Sequence, residues 1–346
     1  MKYLKKVSHW KLIILSLILA LVATVVLTTA IGPVQISPST TAGILAKRLP
    51  LVGDLITPSW SAAEETIILQ IRLPRVILAV LVGAALATAG CAMQGIFKNP
   101  MACPYVIGVS SGAALGVTFA LATFAQANMY ALPLMAFIGA LAAVFLVYNI
   151  ARVGGRLPTE TLLLAGIAVA IFLSAISSFV FYMSSENIHG IMFWLMGGLA
   201  GKGWSHVMIA LPWICIGIVA IYIFARGLNV MLLGEESAQH LGIDAEKLKK
   251  IMLVSVALIT ASAVAVSGVI GFVGLIIPHI MRILVGPDHR ILIPSAIMAG
   301  GIFLVWSDTI ARTIMAPTEI PVGIITALFG APFFLYLLRR KRRAMF

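Results

Sequence analysis

Arg72 and Arg75, in the tetrapeptide Arg72-Leu73-Pro74-Arg75, put two guanidinium groups about one helical turn apart beside a long apolar run. Proline suits the first turn of a helix, where its missing N–H removes no bond, so the pair is expected at the mouth of a helix. A positive spot of this kind suits docking of a partner, against the plainer reading of anchoring by snorkelling at a membrane interface. Arg312 is a third such arginine, and Asp308 precedes it by the four residues that allow pairing on one helix face. This chemistry is recognition, not bond making. The sequence contains no evident nucleophile–base pair and no HExxH. The histidines are scattered, and Cys91, Cys103 and Cys215 lie in or beside apolar runs without metal-type spacing. The stretch Met196–Gly203 lacks the first glycine and the final Ser/Thr of a phosphate loop.

The elements that carry these residues are membrane helices. Of 346 residues, 61% are hydrophobic and only 10% charged, against about 25% charged in soluble domains; mean hydropathy is +1.08. Too little polar surface remains to cover a water-soluble body. Apolar runs of roughly 20 residues match a hydrocarbon core of about 30 Å, and their length excludes an outer-membrane barrel, whose segments alternate and are short. The fold class is therefore all-α, a polytopic membrane protein. The lysine-flanked apolar run at the N-terminus is too long for a signal peptide and is expected to remain as a first span.

Spans are expected near residues 11–31, 73–97, 104–125, 130–151, 160–183, 204–226, 250–269, 270–285, 291–311 and 320–338. The eighth is short and rich in glycine; charge argues for keeping it. With ten transmembrane helices and both termini cytoplasmic, inner segments hold 18 basic residues and outer segments six, while the 12 acids divide evenly. The net charge of +12 then lies wholly inside, as the positive-inside rule requires, and is no sign of nucleic acid. Residues 1–346 read as a single transmembrane domain, with an outer loop at about 32–72 and an inner loop at about 227–249.

Three segments stand out. Gly108, Gly112 and Gly116 repeat at four-residue spacing and predict a helix-packing face. The inner loop contains Gly234, Glu235, Glu236, Ser237, Ala238, Gln239, His240, Leu241 and Gly242, which predicts a short glycine-bounded helix with acids at its positive end, a handle for a soluble partner. From Ser267 to His279, glycines every three residues and then Pro278 predict a broken or short helix, a feature that clusters near transport pathways. Acids near the middle of a span, which an ion-coupled carrier usually needs, are missing. That disfavours a secondary transporter, and the lack of a catalytic pair disfavours an intramembrane enzyme.

The run Arg72–Gly116, the loop Leu233–Ile243, the stretch Gly268–His279, Asp288-His289-Arg290, and Glu319–Gly323 through Gly330–Phe333 resemble, in order, the permeases of iron-siderophore, haem and cobalamin importers, the type II ABC importers. The resemblance implies a permease with ten spans per copy that works as a homodimer or a pseudo-dimer. It also implies two ATPase subunits gripping the Glu235–His240 helix, and an extracytoplasmic substrate-binding protein whose acids meet Arg72, Arg75 and Arg312. A cytoplasmic gate is implied at Thr159 and Glu160, the latter departing from the small polar residue expected there. The chain itself would hold no cofactor, ATP and Mg being bound by the ATPase. A ferric siderophore is the first substrate expected, with cobalamin and haem as alternatives.

Overall fold

The computed structural model describes residues 2–48, 50, 53–123, 130–183 and 188–343. Among them every extended element is helical, apart from an isolated antiparallel bridge between Val153 and Arg156. Helix α1 (Lys2–Ala30) is followed by the short α2 (Pro38–Lys47) and α3 (Ala62–Thr66); α3 runs through a π-helical turn, Ile67–Arg72, into α4 (Leu73–Ile96). Next come α5 (Val109–Thr123), α6 (Ala131–Ala151), α7 (Thr159–Met183) and α8 (Ile188–Leu195). They are followed by α9 (Trp204–Ile223), α10 (Ala225–Met231) and α11 (Glu235–His240). The chain closes with α12 (Ala245–Ser267), α13 (Val273–Val285), α14 (His289–Thr313) and α15 (Val322–Arg343).

Seven stretches among the described residues have the length and apolar composition to cross a membrane: Trp10–Ala30, Ala62–Ile96, Ala131–Ala151, Thr159–Met183, Trp204–Ile223, Ala245–Ser267 and His289–Thr313. Three shorter apolar helices, Val109–Thr123, Val273–Val285 and Val322–Tyr336, coincide with the other three positions where the sequence predicts spans. The expected span at 104–125 starts late, because Pro104–Ile107 forms a 3-10 turn that Gly108 ends in a left-handed conformation; residues 124 and 125 lie outside the described set. Arg72-Leu73-Pro74-Arg75 was expected to open a helix but lies inside one. The wider turn at Ile67–Arg72 carries the chain into Pro74 without breaking it, and the Leu69 carbonyl in that turn accepts a hydrogen bond from Trp204 Nε1 at 2.9 Å.

Burial separates the centre from the periphery. The most apolar windows of α4 and α12 are 83% and 78% buried, whereas those of α1 and α7 are 17% buried. Helices α1 and α7 therefore face lipid or another subunit. In lipid, helices associate by close packing more than by water exclusion, and small residues supply it. Gly83 on α4 faces Gly300 on α14 so closely that a Cβ on either would strike the other's carbonyl. Gly112 and Gly116 on α5 lie in the same way against Gly139 and Met135 on α6. Gly108 faces the same helix, near Val147 and Ala143, but less closely. Its φ of 82° is what requires glycine, and a Cβ there would meet Val147 only at 3.6 Å.

Between α12 and α13, residues 268–272 leave the helix; Gly268 (φ 68°) ends α12. Backbone groups within a bilayer need protein partners, and the break has them. Tyr105 Oη donates to the Ile270 carbonyl at 2.6 Å, and Gly198 N to the Ser267 carbonyl at 2.7 Å. Beside Pro278, which deprives α13 of one helical bond, Gln94 Nε2 donates to the Leu275 carbonyl at 3.0 Å.

Candidate docking and coupling sites

The antiparallel pair α4/α14 sets the two ends of the bundle. Arg75 at the start of α4 meets Asp308 near the end of α14, while Gly95 at the end of α4 touches His289 at the start of α14. The 25 residues of α14 hold these ends about 38 Å apart.

At the first end the structure gathers Arg72, Arg75 and Arg312, all buried (4%, 9% and 4% exposed). Arg75 Nε donates to Asp308 Oδ2 at 2.9 Å and Nη2 to Oδ1 at 2.9 Å, while Nη1 reaches Glu319 Oε1 at 2.9 Å. The i, i+4 pair of Asp308 with Arg312 expected from the sequence does not form, because Arg75 takes the carboxylate from across the helix interface.

Arg72 and Arg312 instead close the C-terminus of α1. The last four carbonyls of a helix lack partners within it. Here the Leu27 carbonyl accepts from Ile31 N at 3.3 Å and the Thr28 carbonyl from Arg312 Nη2 at 2.5 Å. Those of Thr29 and Ala30 accept from Arg72 Nη1 at 3.2 and 2.6 Å. Arg72 Nη2 also bonds the Val34 carbonyl. Two positive groups at the negative end of the helix dipole add electrostatic stabilisation. Gly32 lets the chain pass the Arg72 guanidinium, which a Cβ would meet at 2.6 Å. The freely exposed positive spot expected from the sequence is therefore absent: all three side chains are turned inward as a cap and an ion pair.

At the other end, the loop expected to hold a short helix does so. Glu235–His240 forms α11 between Gly234 (φ 122°) and Gly242 (φ 80°), backbone conformations that favour glycine. Ala238 is fully buried and faces the permease body. The outward surface consists of Glu236, Ser237, Gln239 and His240, flanked by the apolar side chains of Leu233 and Leu241, 69% and 62% exposed. Thr159 and Glu160 stand in the first turn of α7, Glu160 exposed and Thr159 half-buried.

Sequence reasoning missed two connections here. Lys249, buried in the first turns of α12, bonds Glu235 of α11 at 2.8 Å. Asn229 of α10 joins α14 by accepting from His289 N at 2.8 Å and donating to Asp288 Oδ1 at 2.7 Å. Asp288 is gripped by Arg290, whose Nη2 lies 2.6 Å from Oδ2. That contact, with further hydrogen bonds from the Arg290 backbone and Asn229, holds the Asp288 carboxyl well below the usual range against the opposing effect of burial. Only Asn229, an isolated polar letter in apolar surroundings, signalled such a link in the sequence; Lys249 stands among the charges of Asp244–Lys250 and carries no mark of its own.

Neither end has the arrangement of a catalytic site; both are joints between helices. Among the described residues no cluster of three or more His, Cys, Asp or Glu side chains is placed to hold a metal ion.

The family model described as the FecCD transport family matches residues 10–340. The chain is 50% identical over 282 residues to a cobalamin import system permease of Halobacterium salinarum, covering 81% of this chain and 76% of the relative. It is 38% identical over 342 residues to an Fe(3+)-citrate import system permease of Bacillus subtilis, covering 99% of both. A solved inward-facing structure, described as of the metal-chelate ABC transporter type, superposes with a TM-score of 0.82 at 32% identity, covering 95% of this chain and 99% of the other.

Proposed function

The chain belongs to the FecCD transport family, and on that premise we propose that it translocates a bulky metal chelate by alternating access, powered by a separate ATPase. It is the permease subunit of an ABC importer, a multi-pass inner-membrane protein and not itself an enzyme. The family match over residues 10–340 carries the reading. In our topology the chain is one transmembrane domain with ten spans and both termini cytoplasmic. The seven long apolar helices and three shorter ones support that count, and the charge distribution supports the orientation.

Two copies would form the pathway, which agrees with the largely unburied apolar face of α7. Two ATPase subunits, holding ATP and Mg, would grip α11 through its exposed face and Leu233 and Leu241. Nucleotide binding can drive the permease only through contacts that differ between its two states, and α11 is where such contacts would act. The substrate-binding protein would dock at the opposite end, over Arg72, Arg75 and Arg312, with Thr159 and Glu160 gating the cytoplasmic mouth. At the docking end the partner would meet the rim of the Arg75 ion pair, where the Arg75 and Glu319 side chains are 11% and 31% exposed, and not three free guanidinium groups.

A ferric siderophore is the first substrate reading. A corrinoid is the second, favoured by the 50% identity to the Halobacterium salinarum cobalamin permease. Reconstitution with the genomic-neighbour ATPase and binding protein, in liposomes holding ATP, tests both. Uptake of labelled iron-loaded siderophore or cobalamin that requires both partners is expected. Uptake driven by an ion gradient without the ATPase would refute the reading.

A further inference from the structure

We infer that Lys249 is the residue that ties the coupling helix α11 to the gate end of α7, so that ATPase movement at α11 is carried to the turn before Thr159. The inference rests on the role proposed for α11 and goes beyond it by naming the link.

The ammonium group has three protons and no acceptor, and each proton has a partner from a different segment. Lys249 Nζ lies 2.8 Å from Glu235 Oε2 on α11, 3.1 Å from Glu246 Oε1 in the first turn of α12, and 3.1 Å from the carbonyl of Leu157 in the α6–α7 connection. Glu246 completes the clamp, its Oε2 accepting from Leu157 N at 2.8 Å. Both backbone polar groups of Leu157 are thus held by the Lys249–Glu246 pair. Leu157 lies two residues before Thr159, where α7 begins. Upstream, Val153 and Arg156 bond each other around Gly154 and Gly155, both with positive φ, which makes the connection a tight turn. Downstream, the Pro158 carbonyl accepts from Leu162 N at 3.1 Å and from Thr161 Oγ1 at 2.9 Å. The segment gripped by Lys249 is therefore braced on both sides.

Burial makes the joint stiff. The Lys249 side chain is 3% exposed, and a buried charge that loses its partners carries a large desolvation penalty, so the clamp resists opening. A buried pin of this sort is not needed to hold α12, which packs along its length against α4, α6 and α9. Two of its three bonds reach the segments beside α12, Glu235 and the Leu157 carbonyl, and the third fixes Glu246, which in turn holds Leu157 N. Without the ammonium, the part-exposed Glu235 and Glu246 carboxylates would lose the counter-charge that joins them, and the tie between α11 and Leu157 would be gone.

The test uses the complete assembly of permease, ATPase and binding protein in liposomes. Radiolabelled cobalamin or iron-loaded siderophore serves as probe, whichever the unaltered transporter takes up, and uptake is read per ATP hydrolysed. Lys249→Met removes the pin; Glu246→Ala takes away the acceptor of the Leu157 N–H while leaving the Lys249–Glu235 bond to α11; Lys249→Arg keeps the charge. We expect the first two variants to hold the ATPase as the unaltered protein does, while uptake per ATP falls about fivefold or more, with Lys249→Arg recovering most of it. An unchanged ratio in both would overturn the inference. So would loss of uptake in step with loss of folded protein or bound ATPase, which would leave Lys249 a structural role alone. Failure of the unaltered permease to hold its ATPase would overturn the reading of α11 itself, and the link with it.

Discussion

Arg75 and Asp308, 233 positions apart in the sequence, form a bidentate ion pair in which Asp308 is almost fully buried. The pair joins the start of α4 to the end of α14 and also explains why Arg312 is free to cap α1. Truncating one partner of a buried pair costs about 3–5 kcal/mol when the other charge is stranded; Arg75 would keep its bond to the part-exposed Glu319, which puts the loss for Asp308 at the lower end. Asp308→Ala should therefore lower yield and thermal midpoint in detergent sharply. The double variant Arg75→Met/Asp308→Leu should recover much of the loss, since an apolar pair of similar volume leaves only Glu319 without its partner, and that side chain is 31% exposed and can turn to solvent. A thermal midpoint for Asp308→Ala equal to that of the unaltered protein would remove the pair from the fold's supports.

Arg72 predicts a different phenotype from the one its sequence context suggests. Read as a free docking group, its charge reversal should spare the assembly. As a cap on the Thr29, Ala30 and Val34 carbonyls, its removal should destabilise the permease alone, by about 1–3 kcal/mol, before any partner is added. Thermal unfolding of purified Arg72→Ala separates the two roles. A wild-type midpoint with weakened binding-protein docking would restore the docking role.

What the sequence made legible, and what it did not, follows from how each signal is encoded. Spans were readable because lipid requires long apolar runs, and α11 because Gly234 and Gly242 bracket it in conformations few other residues adopt. The arginines were grouped correctly but aimed wrongly. Their partners are backbone carbonyls at and just past the end of α1 and the carboxylates of Asp308 and Glu319, and carbonyls leave no trace in the amino-acid letters. Lys249 was counted only as one more positive charge on the inner face, because Leu157 accepts and donates through its backbone. Gly108 shared the spacing of Gly112 and Gly116 but serves a left-handed turn, a difference of backbone conformation that spacing cannot express.

Gly112 offers a test of the α5–α6 contact. A side chain there must displace the Gly139 carbonyl and the Ala143 methyl, and overpacking of this kind costs about 1–3 kcal/mol. Gly112→Val should lower stability by that amount, read as a fall in the thermal midpoint, whereas Gly154→Ala, whose Cβ would meet nothing within 4 Å, should suffer only the strain of its positive φ. Equal losses in the two would show that close approach of α5 and α6 is not what Gly112 provides.

Asp288 predicts a pH signature. Its folded-state pKa lies below the usual carboxylate value because of Arg290, so its contribution is present in full above the unfolded value of about 3.9 and is lost as pH falls through the folded value. Asp288→Asn should be less stable than the unaltered protein at neutral pH, by about 1 kcal/mol given the partial exposure of Arg290. The gap should narrow in acid; a gap that stays constant into strong acid would show that charge is not its source.

The face of α11 that meets a partner can be assigned by two substitutions with opposite expectations. Ala238 has the small side chain that a tight groove would accept, yet it is fully buried against the permease body. Ala238→Trp should fail within the permease, through overpacking, with low yield whether or not the ATPase is present. Leu233 and Leu241 are apolar, largely exposed and on either side of the helix, where a soluble surface would normally carry polar residues. Leu233→Asp/Leu241→Asp should leave permease yield and thermal midpoint unchanged, because neither side chain supports the core. Buried apolar anchors at an interface contribute about 1–3 kcal/mol each, so ATPase retention should drop at least about tenfold and uptake with it. Co-purification of tagged permease with its ATPase decides the matter. If the double variant retains the ATPase fully while Ala238→Trp folds and releases it, the partner grips the opposite face of α11, and the helix must turn outward in the assembled transporter.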